Sequence, residues 1–495
     1  MKILFLQPPL GAWATWGTHK ALNIGQAQLA AYLREHNPGL SIEVLDCRAL
    51  DLNEASMFDR IEQIKPDIVY LGDILHTTGG LAVVFIYNEA GRKIKERYPH
   101  ITTVVGGIFY ASATEFTLRE NPRLDFCIAG ECEETLSELV KELSSTKPNL
   151  SSVKGLGYRE NGKVKLNPYR PLIQDLNTLP MPAYDLFPMD KYVGHTYWKH
   201  YSETWNSRGC PAGCTFCYEW GQFDPRGNED LKNYRFRSAK KVVDEMEILY
   251  SQHGTRVIVM MDDTYNVSRK RVEETIELCL KKNVAMKWMP LGRAPYFIRD
   301  IDLFKDLKKA GCFMCLVGLE VADDEELKKI KKGITVEQVK ETVAKLREAG
   351  IATVLTWMVG FEDDNEEIIK SRFAAVDEID PDIIALQFLT PIPGSPIWDD
   401  VTARGLLKME DLNKKIKQWD FHQPIMPTKF LSTSALADLA SWAFREFFSK
   451  PGRIQRAMHN KKYDPLVSVC VRDFMENANN YEKETHGEKS YVGKE

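Results

Sequence analysis

Apolar residues fall in short blocks along the first 145 positions: KILFLQ (2–7), SIEVLDC (41–47), DIVYLGD (67–73), TTVVGG (102–107) and DFCIAGE (125–131). None alternates cleanly between apolar and polar, which is the pattern of strands covered on both faces. Stretches with helical spacing, such as GQAQLAAYLREH and GRKIKERY, lie between them. Strand and helix in alternation predict an α/β, doubly wound, Rossmann-like domain over 1–145, built on a parallel sheet. Such a domain takes its ligand at the carboxyl ends of the strands, where Pro8, Pro9, Gly72, Gly106, Gly107 and Gly130 fall.

The pattern then breaks. GKVKLNPYRPLIQDLNTLPMPAYDLFP is punctuated by proline and carries little helical period, so 146–200 reads as a linker or wrap. From 201 to 400 the alternation resumes, with strand candidates ETWNSRG, RVIVMMDD, AMKWMPLGRA, CFMCLVGLE, ATVLTWMVGF and IIALQFLTP. Helical stretches such as KKVVDEMEILYSQ and TVEQVKETVAKLREAG separate them. Six strand–helix units predict a curved, partial (β/α)6 TIM-type barrel. Few strand signals follow residue 400; LADLASWAFREFF (436–448) is an amphipathic helix, and 401–495 is expected to be a mainly helical C-terminal domain.

Charge and composition narrow the partners. The 65 basic and 70 acidic residues give a net charge of −5, which speaks against a sequence-blind grip on nucleic acid. No uncharged apolar run reaches the roughly 18 residues of a spanning helix. The N-terminal MKILFLQPPL reads as a buried strand, and ten cysteines without a secretion signal suggest reduced thiols and a cytoplasmic setting.

The sharpest feature is RGCPAGCTFCYEW, which holds Cys210, Cys214 and Cys217 within eight residues. Structural zinc wants four closed ligands, and no second cysteine pair follows at zinc-ribbon distance. An iron–sulfur cube has four corners, so three thiolates leave one iron free for a ligand that is not protein. The loop follows the first barrel strand, at the end where barrels carry their chemistry. Cys312 and Cys315 also form a CxxC, but a spacing of three within a strand is expected to point them to opposite faces.

At this point the sequence resembles the radical S-adenosylmethionine (SAM) superfamily, whose CxxxCxΦC loop CPAGCTFC matches without a gap. The resemblance implies a four-iron, four-sulfur cluster on the three cysteines, with SAM chelating the open iron and Phe216 beside it. It further implies SAM contacts from Asp262 and Asp263 in VIVMMDDTYN, Arg293 in LGRA and Glu320 in VGLE. Gln387, Pro393 and Gly394 in QFLTPIPGSPIW are implied near the adenine.

A doubly wound domain ahead of such a barrel resembles the cobalamin-binding subgroup, including its LPMPAYDLFP linker. The base-off fingerprint DxHxxG is absent, since GDILHTTGG has one residue too many between Asp73 and His76. The resemblance implies that cobalamin is lined by Pro8, Asp73, Ile74, His76, Gly106, Gly107, Gly130 and Glu131. A dinucleotide is disfavoured, because GxGxxG is missing after the first strand. Together the two resemblances imply that one SAM methylates cobalamin while a second yields a 5′-deoxyadenosyl radical that opens a C–H bond. An external ferredoxin or flavodoxin would supply the electron. Methylation of a carbon on a protein residue or small molecule is the expected activity. A radical oxidative cyclase is the alternative, because the barrel and tail also resemble the anaerobic magnesium-protoporphyrin monomethyl ester cyclase group. Trp13, Trp16, Tyr218, Trp220 and Tyr265 are candidate cavity aromatics.

Overall fold

The computed structural model describes residues 1–9, 19–72, 82–194, 198–219, 234–408, 410–411 and 418–485. Its first sheet is built from β1 (Lys2–Gln7), β2 (Ser41–Asp46), β3 (Ile68–Gly72), β4 (Thr102–Gly106) and β5 (Phe126–Ile128) in the order 2-1-3-4-5. All these neighbours run parallel, as strands joined through helices must. The apolar runs explain the layering. Leu4, Leu6, Val69, Leu71 and Val105 face one core, whereas Ile3, Phe5, Ile68, Tyr70 and Val104 face another. The order reverses between β1 and β3, the switch point at which doubly wound sheets open a crevice.

The sheet does not stop at residue 145. An antiparallel hairpin of β6 (Leu156–Glu160) and β7 (Lys163–Leu166) extends it beyond β5. The rest of the 146–200 stretch wraps the junction. The Ala183 N–H donates to Ala27 O at 3.0 Å, and Tyr184 Oη reaches Glu245 at 2.5 Å. That wrap ends in a short antiparallel pair, β8 (Val193–Gly194) with β9 (Trp198–Lys199).

The second sheet holds β10 (Tyr201–Thr204), β13 (Val257–Met260), β14 (Lys287–Gly292), β15 (Met314–Glu320), β16 (Ala352–Val359) and β17 (Ile383–Phe388). Their spatial order follows the chain and every pair is parallel. This is the expected (β/α)6 half-barrel, open between β10 and β17. The first strand is shorter and earlier than ETWNSRG predicts. Ser207–Arg208 (β11) leaves it to pair antiparallel with Arg235–Phe236 (β12), with the cysteine segment following β11 in the chain. The β17 edge is met by the C-terminal region, where the Phe388 N–H donates to Phe421 O at 2.8 Å. Helices Thr433–Phe448, Pro451–His459 and Pro465–Thr485 complete the described residues.

Cys312 and Cys315 correct an expectation. Cys312 precedes the regular strand, so alternation does not apply, and the two buried thiols lie 3.7 Å apart. Among the described residues no helix is long and apolar enough to cross a membrane.

Candidate functional site

The cysteine loop sits at the carboxyl end of β10 and is pinned from two sides. The Thr215 N–H donates to Ile330 O, and the Ile397 N–H donates to Thr215 O, both at 3.0 Å. The Pro393–Gly394 turn, with Gly394 at φ 90°, leads into the helix that carries Ile397. Phe216 is half-buried on the loop.

Each thiol has a distinct environment. Cys210 Sγ lies 3.2 Å from Thr264 Oγ1, and Cys214 Sγ accepts from Arg293 Nη1 at 3.8 Å. Burial pushes the Cys210 and Cys217 thiols up, and the charge of neighbouring Cys214 adds to the effect on Cys217. Ionising three cysteines of one loop against this burial calls for positive charge beside them, which iron supplies. Among the described residues no three His, Cys, Asp or Glu side chains close on a single point. Three cysteines of one short loop supply three corners of a cube, whose fourth iron is left for a ligand that is not protein.

Arg293, Glu320 and Lys332 surround the Cys214 side of the loop. Glu320 ends β15 at a register shift with φ 73°, a left-handed conformation that aims its carboxylate at Lys332 Nζ, 2.7 Å away. Burial works against the charge on Lys332, but Glu320 outweighs it and holds the ammonium above its usual range. Arg293 binds the backbone oxygen of Lys332, and its own backbone N–H is taken by Asn266 at 3.2 Å. The two expected aspartates differ. Asp262 is fully buried and bonded to Arg271 at 3.2 Å, with that guanidinium over the Tyr265 ring. Asp263 accepts from Tyr218 Oη and adjoins Glu219, whose carboxyl is pushed well above its usual range by burial and then by Asp263. Gln387 is half-buried on β17.

A second cavity opens where the two domains meet. It encloses about 1080 Å³ of space, part of it open to solvent, and is lined by Gly72, Gly106, Gly107, Gly130 and Glu131 from the first domain. Trp205, Arg208 and Arg235 line it from the barrel side. Glycines on the first-domain side leave backbone exposed to whatever fills the space, and arginines face it from the barrel side. Gly106 is required there: a Cβ would come within 2.7 Å of Tyr70 Oη and 2.9 Å of Cys132 Sγ. Pro8 is buried at the end of β1. Glu131 is engaged by Arg208 and Arg235, which outweigh burial and hold its carboxyl below the usual range. Asp73, Ile74, His76, Trp13, Trp16 and Trp220 lie outside the described residues.

Sequence reasoning passed over Thr264, Glu219, Arg208, Arg235 and Lys332. Only Arg208, two residues ahead of the first cysteine, carried a positional hint.

Comparison with known proteins finds two family matches in the chain. Residues 207–373 match the radical SAM superfamily and residues 18–140 match the B12 binding domain. An uncharacterized methyltransferase of Pyrococcus horikoshii is 30% identical over 91% of this chain and 93% of its own length. The anaerobic magnesium-protoporphyrin IX monomethyl ester cyclase of Rubrivivax gelatinosus is 27% identical over 96% of this chain and 82% of its own. The radical SAM methyltransferase TsrM of Kitasatospora setae shares the fold, with a TM-score of 0.70 at 16% identity over 98% of this chain and 99% of that one. The cofactors of the family are a four-iron, four-sulfur cluster, SAM and cobalamin. The chain belongs to the cobalamin-dependent radical SAM enzymes.

Proposed function

We propose that the chain transfers a methyl group to an unactivated carbon of a protein residue or a small organic molecule. One observation carries this reading: the cavity at the carboxyl ends of the first sheet opens against the segment that bears the cysteines, with Gly106 lining it from one side and Arg208 from the other. A methyl carrier and a radical source held this way face one space, which is the positioning that such a transfer demands. When bound, cobalamin supplies the methyl group and the cluster with SAM supplies the radical.

The chain's own residues do the holding. Cys210, Cys214 and Cys217 bind the cluster, with Phe216 packed beside it. Arg293, Glu320, Lys332 and the Asp263–Glu219 pair offer charges to the amino acid end and ribose of SAM. Gln387, Pro393 and Gly394 border its adenine. Asp262, held through one oxygen by Arg271, stands with Asp263 at the amino acid end of SAM. Pro8, Gly106, Gly107 and Gly130 leave room for cobalamin, with Asp73, Ile74 and His76 assigned to the same site. An external one-electron donor, ferredoxin or flavodoxin, completes the system.

The test is product analysis after anaerobic reconstitution with SAM, cobalamin and a low-potential reductant. Methyl transfer yields S-adenosylhomocysteine together with 5′-deoxyadenosine. A radical oxidative cyclase, the second reading and favoured by the long match to the ester cyclase, yields 5′-deoxyadenosine alone. Cys214→Ala should abolish cluster absorbance and every SAM-derived product; survival of both would overturn either reading.

A further inference from the structure

Four ionic side chains meet where the domains touch. Glu131 Oε1 accepts from Arg208 at 2.8 Å and from Arg235 at 2.9 Å, while Oε2 accepts the Ile173 N–H at 2.6 Å. Arg208 turns its other nitrogen to Glu133, and Arg235 donates to Ile173 O at 2.7 Å. The four side chains are only 5–16% exposed. Buried charges of this kind add little stability over well-packed apolar groups, and their best-attested use is to fix one register or to act as a switch.

Their placement says what that register is. Gly130, Glu131, Cys132 and Glu133 form one wall of the interdomain cavity, and Glu131 leads into the helix Cys132–Leu143. Arg208 lines the opposite wall and stands two residues ahead of Cys210. A ligand filling the cavity therefore meets the clamp from both walls, and the cysteine loop hangs from its Arg208 side. We propose that Glu131 is a positioning residue that couples the two sites, so that cobalamin occupancy is felt at the cysteine loop through Arg208. Coupling of this kind is reciprocal: SAM on the cluster alters cobalamin affinity by the same factor.

The proposal rests on the cluster lying on Cys210, Cys214 and Cys217, which iron analysis and absorbance of the reconstituted full-length protein check first. The coupling is then measured as SAM affinity, from the SAM-induced change in the cluster's electron paramagnetic resonance spectrum, with and without hydroxocobalamin. In the natural protein cobalamin should shift that affinity by about five-fold or more. Glu131→Gln should bring the shift close to unity. Because that substitution could also weaken cobalamin retention, Glu133→Gln loosens Arg208 from its other arm and should reduce the shift partway. Equal SAM affinity in loaded and empty natural protein overturns the proposal, as does an undiminished shift in a variant that retains both cofactors. Failure of the natural protein to assemble a cluster overturns the proposed function itself, so the two failures are distinguishable.

Discussion

At the scale of the residue, the site is governed by what touches sulfur and by what leaves room. Thr264 Oγ1 lies 3.2 Å from Cys210 Sγ and donates to Asp263 O at 2.7 Å; turned to a cluster sulfur, that proton would raise the reduction potential by stabilising the added electron. Thr264→Val should therefore move the potential downward and slow SAM cleavage about 10-fold to 100-fold, the usual cost of losing an outer-shell partner. Potentiometric titration of the cluster signal is the check. Gly106→Ala should cost about 1–3 kcal/mol through overpacking against Tyr70 and Cys132, and should lower the cobalamin retained per chain. Thermal melting and the cobalamin absorbance separate the two effects. The cysteines were legible because their spacing lies within one loop. Lys332 and Thr264 were not, since their meaning comes from side chains 12 and 54 residues away.

At the scale of the element, periodicity carried the strands well wherever both faces are buried. It failed where a strand stops being regular. The first barrel strand gives way at Trp205 and Asn206, so the expected ETWNSRG strand is split between β10 and the β11–β12 pair. Cys312 likewise sits outside the regular part of β15, where alternation has no hold. The C-terminal helices were read correctly as helices, but their anchoring was invisible. Arg453, 5% exposed, bonds Asp377 at 2.8 Å and Asp380 at 3.0 Å, and Arg456 adds a bond to Asp380 at 2.7 Å. Arg453→Ala should destabilise by about 3 kcal/mol, the low end for breaking a buried pair, because its partners are partly exposed. Denaturant unfolding measures the loss, and hydrogen exchange should locate it in the helix Pro451–His459 that carries Arg453.

At the scale of the whole molecule, the two domains are locked by charges as well as by apolar packing. Glu131 is held below the ordinary carboxylate range in the folded chain. Its contribution is thus complete above the unfolded value of about 4.3, and is lost as pH falls through the lower folded value. Small-angle scattering should show the domains together at neutral pH and separating only in that acid window. The open seam of the barrel has a different consequence. Because, among the described residues, β17 is met by the backbone at Phe421 and not by a seventh strand, that edge is closed by a segment that owes nothing to strand register. Substitutions there can reshape the edge while the parallel ladder, and the cysteine loop beyond its opposite end, stay as they are.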